Sequence, residues 1–224
     1  MNHAAQGPVR ALILDLDGTL IDSMPWHTRA WTAVLAEHGV TVDPHEFLLR
    51  TAGMTADVIF REWLGGALAE SDIERLSKEK EALYRELFAP HVQLLPGASD
   101  FLEWARRREI GLALATAAPS DNVRFILEHT NLGDLLDTVV TADEGLPGKP
   151  APDIFLTAAR RLHVSPAEAV VFEDAILGIE AARRAGMRVV VLSTSLAPSE
   201  IPLGPDILAI AEDYTGLDRN ILGP

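Results

Sequence analysis

The sequence predicts an α/β fold, in which a doubly wound parallel sheet has helices on both faces and an α-helical domain is inserted after the first strand. From residue 98 onward, short apolar runs alternate with helical segments, which is typical of a parallel sheet. The apolar run at residues 9–14 lacks polar alternation, as a strand buried on both faces does. Between residues 24 and 91 no strand-like run occurs, and this change in pattern marks the insert.

Length and composition limit the classes of function. The chain has 224 residues, of which 48% are hydrophobic, so it can bury a sizeable core. Its net charge of −14 makes nucleic acid and anionic membranes poor partners. Cysteine is absent, which excludes disulfides and thiol chemistry. The first ten residues lack the apolar core of a signal peptide and no apolar run has membrane-spanning length, so we expect a cytoplasmic protein, and we expect a monomer.

The insert is predicted to contain helices only. Apolar side chains recur at helical spacing, and we assign helices to residues 26–38, 57–63 and 70–88. Trp31, Val34 and Leu35 share one face of the first of these helices. Ser71 and Glu74 have the spacing of a capping box at the start of the last one. We therefore divide the chain into a sheet core at residues 1–23 and 93–224 and a helical cap domain at residues 24–92.

The core alternates strands and helices after the insert. Apolar runs predict strands at residues 110–115, 137–141, 169–172, 188–192 and 207–210, the last of them at a sheet edge. Helical spacing predicts helices at residues 98–108, 120–130, 152–163 and 175–185. In such sheets, ligands bind beyond the carboxyl ends of the strands.

Polar side chains stand where successive predicted strands end. They are Asp15 and Asp17, Thr116, Lys149, and Glu173 with Asp174. Two carboxylates at the end of a buried strand repel each other, and a divalent cation is the simplest partner that offsets this repulsion. Oxygen ligands together with a bound phosphate are the preference of Mg²⁺. The residues therefore predict a metal-assisted phosphate site with a carboxylate to spare for chemistry.

Each of these residues also has a simpler interpretation. Glu173 and Asp174 could cap the N-terminus of the next helix. Thr116 could be a hydrogen-bonded hydroxyl at a strand end, and Lys149 could be an ordinary surface lysine. Lys149 is not a P-loop lysine, because Pro150 stands where that motif has Ser or Thr. Only the joint occurrence of these residues at successive strand ends favours the functional interpretation.

The chain resembles the haloacid dehalogenase superfamily, whose members are mostly phosphatases. The resemblance rests on DLDGT at residues 15–19, Thr116, GKPAPDIF at residues 148–155 and FEDAILGI at residues 172–179. It runs from residue 9 to about residue 192 and is closest to the β-phosphoglucomutase-like branch, which also contains small-molecule phosphatases. It implies a Rossmann-like core, with the insert as a helical cap that covers the site and sets substrate choice.

The resemblance implies a role for each motif residue. Asp15 would attack phosphorus to give an aspartyl-phosphate, and Asp17 would protonate the leaving alkoxide and later deprotonate water. Mg²⁺ would be held by Asp15, the backbone carbonyl of Asp17, and Asp174, with Glu173 in or near its shell.

The remaining implied roles concern the phosphate and the cap. Thr116, Ala117 and Lys149 would bind the phosphoryl oxygens. His27 matches a cap-entry histidine that steers the acid/base aspartate in the mutase branch, and a helix-surface histidine is the alternative. Thr55 and Lys80 are candidate cap contacts to the substrate.

The implied function is a Mg²⁺-dependent phosphatase of a small phosphorylated metabolite such as a sugar phosphate. A β-phosphoglucomutase-type isomerase and an inorganic pyrophosphatase are enzymatic alternatives, and a phospho-acceptor switch of the receiver type is a non-enzymatic one. Ala56 stands where the mutases have an arginine for a distal phosphate, and the loop at residues 117–120 lacks their Lys–Asn pair. Both departures favour hydrolysis, although Arg61, Lys78 or Lys80 could replace the missing phosphate contact.

Overall fold

The computed structural model describes residues 8–51 and 54–223 of the chain. The predicted absence of a signal peptide depends partly on residues 1–7, and the segment aligned with the mutases includes residues 52–53, all of which lie outside the described residues. Within the described ranges, no helix combines the length and the apolar character that a membrane crossing requires.

A six-stranded parallel sheet forms the centre of the molecule, with strand order β3-β2-β1-β4-β5-β6. The strands are β1 Ala11–Leu14, β2 Gly111–Ala115, β3 Thr138–Val140, β4 Ala169–Glu173, β5 Arg188–Leu192 and β6 Ile207–Ala211. The central strands β1 and β4 are buried along their whole length, as their uninterrupted apolar sequences predict. The predicted doubly wound α/β fold is confirmed.

The register of the sheet brings the polar strand ends together. Leu14, the last residue of β1, is paired with Leu114 on β2 and with Phe172 on β4. Asp15 follows Leu14 and Glu173 follows Phe172, so these two residues lie side by side at the carboxyl edge of the sheet. This edge is where parallel α/β sheets bind their ligands.

Eight α-helices are defined in the described part of the chain. They are α1 Met24–Glu37, α2 Pro44–Thr51, α3 Ala56–Leu64, α4 Glu70–Phe88, α5 Ala98–Arg107, α6 Ser120–His129, α7 Asp153–Arg161 and α8 Ile176–Arg184. The sequence analysis assigned no separate helix to α2. Asp43 accepts hydrogen bonds from the backbone N–H groups of His45 and Glu46 there, which satisfies two donors at the start of that helix.

The predicted capping box at Ser71 and Glu74 is wrong. Helix α4 begins at Glu70, as predicted, but its N-cap is Ala69, whose side chain has no oxygen to accept a hydrogen bond. Glu70 and Asp72 place negative charge in the first turn, where the helix dipole favours it. A capping box forms instead at Ser165 and Glu168, before β4.

Helices α1–α4 form the helical insert, which has a small core of its own. Trp31 on α1 packs against Phe47 on α2 and Phe60 on α3, with ring centroids 5.9 and 4.8 Å apart. The chain leaves and re-enters the sheet unit at adjacent points, since Ile21 and Leu94 form an antiparallel bridge. The division of the chain at residues 23 and 92 and the role of the insert as a cap stay predictions.

Each face of the sheet is covered by a separate apolar layer. Along β1, Leu12 and Leu14 belong to the layer under α5 and α6, whereas Ala11 and Ile13 belong to the layer under α7 and α8. This alternation follows from the period of two in a strand. Phe101 on α5 is fully buried and contacts the ring of Phe172 on β4, so it anchors one layer directly beneath the site.

We expect Phe101→Ala to lower the free energy of unfolding by about 3–5 kcal/mol, because it leaves a cavity in this layer. Denaturant unfolding monitored by circular dichroism measures the loss. Leu203→Ala is the control, because Leu203 is 79% exposed, and it should change the stability by less than about 0.5 kcal/mol. Equal losses in the two variants would contradict the placement of Phe101 in the core.

Candidate active site

A buried lysine lies between two carboxylates at the carboxyl edge of the sheet. Lys149 Nζ is 2.6 Å from Asp15 Oδ1 and also donates a hydrogen bond to Glu173 Oε1. The side chains of Lys149 and Asp15 are only 2% and 9% exposed. A buried ion pair is stable only when its remaining hydrogen-bonding groups also have partners. Here Glu173, at the end of the neighbouring strand, is the further partner of Lys149.

A third carboxylate completes the cluster. One carboxylate oxygen each of Asp15, Glu173 and Asp174 lie within 4.8 Å of one another. Ser195 donates a hydrogen bond to one oxygen of Asp174, and Thr19 Oγ1 donates to the other at 3.2 Å. Three buried carboxylates and one lysine leave excess negative charge, so the donor set fits a hard divalent cation such as Mg²⁺.

Two glycines allow the backbone to approach these carboxylates. Gly18 has a φ of +75°, and a Cβ atom at this position would overlap the carboxylate of Asp174. A Cβ atom at Gly178, in the first turn of α8, would overlap the carboxylate of Glu173. Glu173 Oε2 also accepts the backbone N–H groups of Asp174 and Ala175, both at 2.8 Å. The carboxylates are therefore fixed in place by the backbone as well as by side chains.

The electrostatics of the cluster favour proton uptake when no other cation is bound. Burial raises the pKa of Asp15 to about 7, opposed by the charge of Lys149 and reinforced by that of Glu173. Burial and the charges of Glu173 and Asp15 raise the pKa of Asp174 well above its ordinary value. Burial opposes the charge on Lys149, but Asp15 and Glu173 outweigh it and hold the pKa of the ammonium above its usual range.

Asp17 has a different set of partners from Asp15, although it is only two residues away. Its Oδ1 atom accepts from Ser23 Oγ at 2.6 Å and lies 3.1 Å from His27 Nε2 and 3.4 Å from Tyr84 Oη. Burial opposes ionisation, but the interaction with His27, the hydrogen bond from Ser23 and the charge of Lys80 outweigh it and hold the pKa of Asp17 below its ordinary value.

The protonation of His27 is fixed by its second neighbour. Lys80 Nζ lies 2.8 Å from His27 Nδ1, and an ammonium can only donate. Nδ1 therefore accepts, and the ring proton is on Nε2, which donates to Asp17. The ring of His27 also stacks on Tyr84, with centroids 3.6 Å apart. Lys80 is thus committed to His27 and to Glu81, whose Oε1 lies 2.8 Å from Nζ.

Thr116 and Ala117 lie where β2 ends. Thr116 is buried, and its Oγ1 accepts the backbone N–H of Ala118 at 3.0 Å. The hydroxyl proton of Thr116 is therefore free to donate toward a ligand. Both residues line a cavity of about 650 Å³ between the sheet edge and the helical insert.

The structure brings all the predicted site residues to this one cavity. They are Asp15, Asp17, Thr116, Ala117, Lys149, Glu173 and Asp174 from the sheet unit, and His27, Thr55 and Lys80 from the insert. Their individual roles stay predictions. Sequence reasoning missed Ser23, Tyr84 and Ser195, which hold site carboxylates from segments without a motif.

Comparisons with known proteins identify a family and several relatives of this chain. The family model of haloacid dehalogenase-like hydrolases matches residues 9–186. The fructose-1-phosphate phosphatase YqaB of Escherichia coli is 37% identical over 79% of this chain and 92% of its own length. Protein CbbY of Rhodobacter capsulatus is 35% identical over 90% of each chain. The crystal structure of CbbY from Rhodobacter sphaeroides with xylulose-(1,5)bisphosphate superposes with a TM-score of 0.78, at 27% identity over 93% of this chain and 96% of that chain.

We expect Mg²⁺ to raise the thermal unfolding midpoint more at about pH 8 than at about pH 5, because metal binding requires ionised carboxylates. The folded-state pKa of Asp15 lies above its ordinary value of 3.8, at about 7, so the metal-free protein loses stability as the pH rises through this range. Bound Mg²⁺ offsets that loss. Differential scanning fluorimetry with and without Mg²⁺ measures the two shifts.

Asp174→Asn should reduce the Mg²⁺-dependent shift at both pH values, because it removes one of the three charges. Glu86→Gln is the matched control, because Glu86 is exposed on α4 and should leave the shift unchanged. A shift of equal size at both pH values in the wild type would contradict binding at this cluster.

Proposed function

The chain belongs to the haloacid dehalogenase-like hydrolases, and we propose that within this family it is a Mg²⁺-dependent phosphatase of a small phosphorylated sugar. The proposal includes an aspartyl-phosphate intermediate on Asp15. The observation that carries the proposal is that Asp15 and Asp17, only two residues apart, have different hydrogen-bond partners. Asp15 is paired with Lys149 next to the carboxylate cluster, whereas Asp17 is held by Ser23 and His27. When two nearby carboxyl groups have different environments, one can act as the nucleophile and the other as the acid/base group.

Asp15, the backbone carbonyl of Asp17, Glu173 and Asp174 would hold the cation. When bound, Mg²⁺ supplies positive charge that offsets the charge of the nucleophile and of the phosphoryl oxygens together. Lys149 adds a second positive charge next to the attacking oxygen. The Thr116 hydroxyl and the backbone N–H of Ala117 would orient the phosphoryl group.

The chemistry then divides into two balanced steps. In the first, a carboxylate oxygen of Asp15 bonds to phosphorus, the bond from phosphorus to the sugar oxygen breaks, and Asp17 gives its proton to that oxygen. In the second, Asp17 takes a proton from water as the water oxygen bonds to phosphorus, and the bond from phosphorus to Asp15 breaks. The arriving phosphate adds negative charge next to Asp17, which raises the pKa of this carboxyl and favours the acid form that the first step needs.

Two observations support a phosphorylated sugar as substrate. The relative from Escherichia coli is named for fructose 1-phosphate, and the CbbY structure contains a sugar bisphosphate. Lys80, the buried insert cation that could have bound a second phosphate, is paired with Glu81, whereas Arg61 and Lys78 form exposed pairs with Glu70 and Glu74, which water weakens. This pairing favours hydrolysis over phosphosugar isomerisation. The monomeric state and the cytoplasmic location stay predictions.

We expect Asp15→Asn to lower kcat for sugar phosphates at least about a thousandfold, because an amide oxygen is a poor nucleophile. Release of inorganic phosphate from a panel of sugar phosphates measures the effect, and Asp100→Asn, at an exposed position on α5, is the matched control. Retained activity in Asp15→Asn would exclude Asp15 as the nucleophile. Transfer of phosphate to a second hydroxyl of the sugar without release, by the wild type, would contradict a phosphatase.

We expect Asp17→Asn to lower kcat/KM for a sugar phosphate about 10²–10⁴-fold, because the alkoxide then leaves without a proton donor. With p-nitrophenyl phosphate, whose leaving group needs no proton, the same variant should release a burst of about one equivalent of nitrophenol and then stall, since the second step still lacks its base. Stopped-flow absorbance measures the burst. Steady turnover of both substrates at the wild-type rate would exclude Asp17 as the acid/base group.

A further inference from the structure

A buried asparagine connects the sheet unit to the helical insert. Asn122, on α6, is 1% exposed. Its Oδ1 atom accepts from Arg85 Nη1 at 2.7 Å, and its Nδ2 atom donates to Glu81 Oε2 at 2.6 Å. Arg85 and Glu81 both belong to α4 of the insert. We refer to Asn122, Glu81 and Arg85 as the amide latch.

The chemistry of the neighbours fixes the orientation of this amide. A guanidinium only donates hydrogen bonds and an ionised carboxylate only accepts them, so the oxygen of Asn122 must face Arg85 and its nitrogen must face Glu81. Burial opposes the charge on Glu81, but the charge of Lys80 and the hydrogen bonds from Lys80 and Asn122 outweigh it and hold the pKa of Glu81 below its ordinary value. An aspartate has the same shape as asparagine but would place a second negative charge against Glu81.

The latch is connected to the acid/base aspartate through three further hydrogen bonds. The second carboxylate oxygen of Glu81 lies 2.8 Å from Lys80 Nζ, and Nζ in turn lies 2.8 Å from His27 Nδ1. His27 Nε2 then reaches Asp17 at 3.1 Å. Since Lys80 has a side chain that is only 3% exposed, water does not substitute for these partners without a rearrangement.

We propose that Asn122 is a positioning residue for the acid/base step, which acts through Glu81 and Lys80 to keep the His27 proton on Nε2 and directed at Asp17. Asn122 touches neither the substrate nor the reacting atoms. Its effect is to fix the place of Glu81, which fixes the place of the Lys80 ammonium. This inference rests on the proposed phosphatase only for its kinetic consequence, because the placement of His27 is measurable without turnover.

The test compares Asn122→Asp with the double variant Asn122→Asp/Glu81→Gln. Asn122→Asp replaces the amide donor by a carboxylate that repels Glu81, so it should displace Glu81. The double change exchanges donor and acceptor, because the amide introduced by Glu81→Gln would donate to the new carboxylate and still accept from Lys80, and it keeps the summed charge of the cluster constant. Asn131→Asp is the matched control, because Asn131 is exposed, lies just beyond α6 and donates a hydrogen bond to Ser99 at 3.3 Å, away from the latch.

The kinetic measurement is the ratio of kcat/KM for a sugar phosphate to kcat/KM for p-nitrophenyl phosphate. We expect this ratio to fall at least about tenfold in Asn122→Asp, because only the alkoxide leaving group needs the proton of Asp17, and to return to within about threefold of wild type in the double variant. Asn131→Asp should leave the ratio unchanged. Equal losses for both substrates, or no loss, would overturn the positioning role.

The second measurement is independent of activity. The ¹⁵N chemical shifts of the His27 ring should show a protonated Nε2 and an unprotonated Nδ1 in the wild type, move toward an average of the two tautomers in Asn122→Asp, and return in the double variant. Unchanged shifts in Asn122→Asp would overturn the latch even if the enzyme is active. If the shifts respond as expected but the wild type hydrolyses neither phosphate, the proposed function fails and the latch stands.

Discussion

The pairing of Lys149 with Asp15 and Glu173 is the interaction on which the rest of the site depends. Three carboxylates converge at one edge of the sheet, and without a cation their mutual repulsion and their burial would oppose folding. Lys149 offsets part of this charge from a position that is itself almost inaccessible to water. The charge that it leaves uncompensated would attract a divalent cation, so the residues whose mutual repulsion opposes folding are also the ones that fit such a ligand.

The polar residues that surround this pairing fall into two groups with different origins. The carboxylate cluster belongs to the sheet unit, where strand register and two glycines fix each side chain within a narrow space. The partners of Asp17 come mostly from the helical insert, through His27 on α1 and Tyr84 on α4. Asp17 is therefore one residue at which the two units meet. In the proposed reaction, a nucleophile held by the sheet and an acid/base group held largely by the insert could be tuned separately, which would suit two steps that require opposite proton transfers.

Site residues could be predicted from the sequence where their position follows from the strand next to them, but not where their contacts come from segments distant in the sequence. Asp15, Glu173 and Asp174 come directly after apolar runs, and the geometry of parallel strands then leaves little freedom in where they meet. The partners that come from helices are different. Tyr84 has the spacing of an ordinary buried residue on helix α4. Nothing in its sequence context distinguishes an aromatic residue that only packs from one whose hydroxyl faces a carboxylate. The wrong capping box at Ser71 has the same cause, because Ser71 and Glu74 match the motif locally, although the helix already begins at Glu70, as its predicted range has it.

Asn122 shows why buried polar side chains far from any motif merit as much attention as the motif itself. A buried amide costs free energy unless both of its ends are satisfied, and an apolar residue would fill the same space on α6 without that requirement. Here both ends are satisfied by charged groups of the insert, and one of those groups leads through Lys80 to the histidine that faces Asp17. Packing alone does not require an amide at this position, whereas alignment of a proton donor does. The identity of the residue is therefore explained by the chemistry at the far end of the hydrogen-bond chain.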